Sequence, residues 1–83
     1  MINVGYNNYV SIDKIVAIIS PDSAPIKRMI QNLRDSVDLI NATSGRKTRS
    51  VIILQNRQIM LSALQAETLT QRLMEAKKTN EKG

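Results

Sequence analysis

The chain has no cysteine, histidine, phenylalanine or tryptophan. Without cysteine there are no disulfides and no thiol nucleophile; without histidine there is no imidazole acid–base chemistry, and the absence of both removes the usual zinc ligands. The one close carboxylate pair, Asp35 and Asp38, flanks an expected helix end where solvation accounts for it, so the expectation is a non-enzyme without cofactor or metal. No apolar run approaches the roughly 18 residues needed to span a bilayer, and the N-terminus lacks a basic stretch followed by a signal-type apolar segment. A cytoplasmic protein without membrane contact is expected, and the missing cysteine fits a reducing compartment. Tyr6 and Tyr9 are the only rings. An aliphatic core in 83 residues leaves little stability margin, which self-association would widen. Scarce rings also disfavour single-stranded nucleic acid, which is held by stacking bases on aromatic side chains.

Acid is missing locally as well. Before Leu39, Lys14, Lys27, Arg28 and Arg34 are balanced by Asp13, Asp22, Asp35 and Asp38. From Leu39 to Ala66 there is no Asp or Glu, yet Arg46, Lys47, Arg49 and Arg57 fall there, so four of the five net positive charges share one window. Such a surplus points at a polyanion, and duplex phosphate is the likelier one. A solubilising hairpin tip has the same composition; the absent acids, the stiff apolar stem Val51–Leu54 and Arg57 in the next turn favour polyanion binding. Gly45-Arg46-Lys47-Thr48 faintly resembles the end of a Walker loop, but the required upstream glycine is absent and a strand follows where a helix is needed.

Ile2 to Tyr6 alternates as a first strand stopped by Asn7-Asn8, and Tyr9 to Lys14 is expected to be a loop or single turn. Ile15 to Ile19, five apolar residues in a row, suits a strand covered on both faces. Asp22 or Ser23 can cap a helix with Pro25 in its first turn, and Ile26, Met29, Ile30 and Leu33 repeat on one face. On that helix Lys27 and Arg28 read as a solvated face, as Lys14 does at the mouth of its strand. Asp38 to Thr43 forms a third strand, joined by the Gly45 turn to a fourth, Thr48 to Leu54; a second hairpin turn with Asn56 at positive φ leads to a fifth, Ile59 to Ala63. Both faces of the fourth strand are apolar, so one helix covers one face and a second helix or another subunit the other. Glu67 suits the first turn of a second helix with Ala66, Leu69, Leu73 and Ala76 inward. Residues 1–76 form one domain, and 77–83 is expected to be a disordered basic tail.

Ile2-Asn-Val-Gly-Tyr6, Ser20-Pro-Asp-Ser-Ala-Pro-Ile-Lys-Arg28, Ala42-Thr-Ser-Gly-Arg-Lys-Thr-Arg-Ser-Val-Ile-Ile53 and Leu61-Ser-Ala-Leu-Gln-Ala-Glu-Thr68 resemble the RemA family of bacterial extracellular-matrix regulators. The resemblance implies an α+β, LytTR-like fold of about five mainly antiparallel strands and two helices. It also implies a ring-shaped homo-oligomer, about seven or eight subunits, with duplex DNA along its outer rim. Family members activate matrix and biofilm genes, so a nucleoid-associated regulator is expected. The family's DNA-contact positions fall on Lys14, Arg46 and Lys47, with Arg49 and Arg57 as secondary contacts. Where the family has Arg at the first and third of these, this chain has Lys, which keeps the charge and loses the bidentate fork, so phosphate contact should survive better than base reading. Ser44 replaces the usual aromatic or His, Ala66 replaces a proline, and Asn32 to Asp38 and Gln55 to Gln58 diverge, which bears on target choice. An RNA-binding module and a purely structural oligomer are the alternatives.

Overall fold

A computed structural model describes residues 1–82, with side chains described through Lys78. Strands β1 (Ile2–Asn3) and β2 (Tyr9–Val10) form a small hairpin, and one 3₁₀ turn (Ile12–Lys14) leads into β3 (Ile15–Ile19). Helix α1 (Ala24–Asn32), β4 (Leu39–Asn41), β5 (Ser50–Leu54), β6 (Ile59–Ser62) and helix α2 (Ala66–Lys82) follow. This is the α+β composition expected, with a different sheet. The main sheet has the order β3-β5-β6-β4, with β4 and β6 parallel and the other pairs antiparallel.

Local expectations change in the strands and turns. The Gly45 turn does not close a hairpin: β4 lies beside β6, so the chain from β4 to β5 must cross the end of β6, two interstrand spacings or ~10 Å. Ile15 to Ile19 is an edge strand paired only with β5, and Val16 is 62% exposed where coverage on both faces was expected. Tyr9 and Val10 pair with Asn3 and Ile2, so only Ile12–Lys14 forms the expected turn.

The two apolar faces of β5 are covered as their alternation requires. Ile52 and Leu54 pack with Met60, Leu69 of α2, and Ile2, Val4 and Val10 of the small hairpin region. On the opposite face Val51, Ile59 and Leu61 meet Ile26, Met29, Ile30 and Leu33 of α1. Of the two possible caps, Ser23 is the one used, its Oγ accepting from the Ile26 N–H at 3.4 Å, with Pro25 in the first turn. Every residue of α1 stays at least partly exposed, while Leu69 of α2 is fully buried. In the β5–β6 turn the Leu54 N–H donates to the Gln58 carbonyl at 2.9 Å, and the residue at positive φ is Arg57 (63°) instead of Asn56. The expected tail falls mostly outside the described side chains; of it, Lys77 and Lys78 continue α2 as exposed residues.

Candidate nucleic-acid interface

The β4–β5 crossover carries the cations because its two legs are pinned to one strand. On entry the Ala42 N–H donates to the Leu61 carbonyl at 2.9 Å, and on exit the Arg49 N–H donates to the Ser62 carbonyl at 2.8 Å. Asn41 sets the entry: its Oδ1 accepts from the Thr43 N–H at 3.0 Å and from the Thr43 hydroxyl at 2.6 Å, ordering the chain just past the strand. The Arg46 N–H then donates to the Thr43 carbonyl at 3.0 Å across Ser44 (φ 52°) and Gly45 (φ 80°), a tight turn with both central residues left-handed. Arg46, Lys47 and Arg49 project from this braced loop into solvent.

The five cations do not form one patch. Register pairs Ile15 with Leu54 and Ile19 with Val51, and the Gln55 N–H donates to the Lys14 carbonyl at 2.9 Å. Lys14 and Arg57 therefore stand at one end of the sheet and Arg46, Lys47 and Arg49 at the other, apart by the five residues of β5, ~17 Å. All five are exposed, and among the described residues none of their side chains donates a hydrogen bond or meets a carboxylate. Beside the loop a cleft of about 290 Å³ runs between Pro21, Thr48 and Ala66, with Lys47 and Arg49 on one side and Asp22 and Glu67 on the others. The opening of α2 at Ala66 borders the same cleft and brings the positive end of its dipole to this side. Among the described residues no group of three or more acidic, His or Cys side chains is placed to hold a metal ion.

Contacts the sequence does not indicate complete the loop's surroundings. The Arg46 guanidinium carbon lies over the Tyr6 ring, 4.8 Å from its centroid. Tyr6 (φ 52°) and Asn7 (φ 65°) turn the β1–β2 hairpin, and the Asn8 Nδ2 donates to the Gly5 carbonyl at 2.9 Å and reaches the Ala42 carbonyl at 3.5 Å. Beneath them Ser62 Oγ donates to the Val4 carbonyl at 2.7 Å and accepts from the Leu64 N–H at 3.1 Å, while Ser50 Oγ donates to the Leu64 carbonyl at 2.8 Å. Asn3, whose Oδ1 accepts from the Gly5 N–H at 2.8 Å, and Asn41, each just before a turn, are the available signals; nothing in the sequence ties Tyr6 to Arg46.

Two glycines hold these turns open with different tolerances. A Cβ on Gly45 would meet nothing within 4 Å, so Gly45→Ala costs only the positive φ, about 1 kcal/mol. A Cβ on Gly5 (φ 113°) would sit 3.3 Å from Leu64 Cγ, so Gly5→Ala should cost more, ~2 kcal/mol. Thermal melts of the two variants should place Gly5→Ala clearly below Gly45→Ala; the reverse order would contradict this packing.

A family model described as extracellular matrix regulatory protein A-like matches residues 1–73. Extracellular matrix regulatory protein A of Bacillus subtilis is 51% identical over 73 residues, covering 88% of this chain and 82% of its own. Two relatives are named as putative regulatory proteins: one of Bacillus pumilus, 52% identical over 73 residues (88% of this chain, 82% of its own), and one of Geobacillus kaustophilus, 50% identical over 82 residues (99% and 94%).

Proposed function

The chain belongs to the RemA-like family of extracellular matrix regulatory protein A-like proteins, and on that premise we propose that it regulates matrix and biofilm genes by binding duplex DNA. The observation that carries this is the braced crossover, which holds Arg46, Lys47 and Arg49 exposed and unpaired on a loop fixed at both ends to β6. A cation without an internal carboxylate loses little by taking a phosphate, and a fixed loop loses little entropy on binding. Lys14 and Arg57 form a second contact ~17 Å along, about five base pairs of duplex at 3.4 Å each.

A few contacts from one protomer bind weakly, so copies must act together, and the reading includes a ring-shaped homo-oligomer that repeats the cationic ends around its rim. Support comes from apolar surface left open in a single chain. Among the described residues no strand pairs with the outer edge of β3 or of β4; Val16 is 62% exposed on one, Val37 is 90% exposed before the other, and every residue of α1 stays at least partly exposed. Among the described residues no helix is long and apolar enough to cross a membrane.

The test is native mass spectrometry with and without a duplex, joined to binding titrations at low and moderate salt. The three loop cations of two engaged protomers make about six phosphate contacts, which imply a loss of at least about 10³-fold between 50 and 200 mM salt. A lone subunit at working concentration, or binding indifferent to salt, would sink the proposal. Preference for RNA over duplex DNA of equal length would redirect it.

A further inference from the structure

We infer that Tyr6 is a positioning residue for Arg46, presenting its guanidinium to DNA without using any of its hydrogen-bond donors; this rests on the duplex-binding reading above. The Arg46 Cζ lies 4.8 Å from the centre of the Tyr6 ring, and among the described residues no acid pairs with it. A carboxylate partner would also fix an arginine, but it would occupy the N–H fork and cancel the charge. The face of a ring attracts the cation through its quadrupole and leaves the N–H groups in the guanidinium plane available to a phosphate or a base edge.

The ring is held there by backbone and not by aromatic content. Tyr6 and Asn7 are at φ 52° and 65°, and Ser44 and Gly45 at 52° and 80°, so two left-handed turns from distant parts of the chain dock together. Asn8 bridges them, its Nδ2 donating to the Gly5 carbonyl and reaching those of Tyr6 (3.3 Å) and Ala42 (3.5 Å). A bulky residue rarely adopts positive φ, and persists there only where its surroundings over-determine it. Tyr9, the other ring, is 56% exposed and, among the described residues, stacks on no cation. Among the described residues Lys47 and Arg49 lie over no ring either, which sets Arg46 apart within the loop.

The test uses the full chain and a mixed-sequence duplex, with affinity read by fluorescence anisotropy. Tyr6→Asn removes the ring while suiting positive φ, Tyr6→Phe restores the ring without the hydroxyl, and each is made with and without Arg46→Ala. Loss of the stack should weaken binding about two- to five-fold per engaged protomer. Tyr6→Phe should recover most of it, and Tyr6→Asn should have no further effect once Arg46 is alanine. Circular dichroism and native mass confirm that each variant is folded and assembled. Equal binding by Tyr6→Asn and the parent, or the same loss in the Arg46→Ala background, overturns the inference while leaving the duplex-binding reading intact. A parent protein that binds no duplex overturns both.

Discussion

Arg46→Ala combined with Lys47→Ala is expected to reduce duplex affinity about 10³-fold while leaving the fold and its assembly intact. Each lost contact is worth ~1 kcal/mol or more, so two lost contacts weaken an engaged protomer about 30-fold, and two engaged protomers multiply the effect. The protein itself loses little, because both side chains are exposed and the only described contact either makes is the Arg46–Tyr6 stack. The loop's support from the Ala42, Arg46 and Arg49 N–H groups is backbone, and both substitutions keep it. The salt slope is the stricter readout: it should fall by about 2 for each engaged protomer. An unchanged slope would show that these cations are solvated ornament and that the duplex, if bound at all, lies elsewhere. Lys14→Ala with Arg57→Ala, at the far end of the sheet, should give a separate loss, because Lys14 and Arg57 belong to the second contact.

How much of the fold and of the interface is legible in the sequence depends on which signals are local. The α1 face, its cap region and the two apolar sides of β5 are periodic within a few residues, and the folded chain uses them as that periodicity implies. Strand neighbours are not local. Ser44-Gly45 has the backbone chemistry of a hairpin turn, yet the span from Asn41 to Ser50 reaches past β6 to β5, and nothing within the loop distinguishes a return to the adjacent strand from a crossing over one. The apolar run Ile15–Ile19 reports contact with apolar matter and not position in the sheet; at an edge it leaves Val16 open. The candidate cations are legible as a composition, because absent acids can be counted. Their division between two ends of the sheet is not, since it depends on the β3–β5 register. Positive φ at Arg57 in place of Asn56 is a one-residue difference in turn phase.

The serines show what composition hides most completely, and they carry the largest expected stability effect. Ser62 and Ser50 are fully buried in strands otherwise made of aliphatic residues, and in an alternating pattern they read as ordinary polar positions. Ser62 Oγ is the hydrogen-bond partner of two backbone groups at once, the Val4 carbonyl and the Leu64 N–H. Ser62→Ala strips both while leaving Val4, fully buried, without a partner for its carbonyl. An unsatisfied buried group costs ~1–3 kcal/mol, so two together should cost about 3 kcal/mol even with partial relaxation. For a domain of this size that corresponds to a fall in Tm of roughly 10–20 °C. The consequence reaches the interface, because Val4 leads into Gly5 and Tyr6, and the Tyr6 ring is what Arg46 rests on. Ser62→Ala should therefore lower duplex affinity by no more than the Tyr6→Asn change does, in protein still folded at about 20 °C. Ser62→Thr, which keeps the hydroxyl but adds a methyl where the residue has no exposed surface, should restore the hydrogen bonds at the expense of packing and fall between parent and alanine variant. Melts of the three proteins decide it: an alanine variant as stable as the parent would mean that Val4 and Leu64 find other partners, and that the hairpin bearing Tyr6 is not held through this hydroxyl.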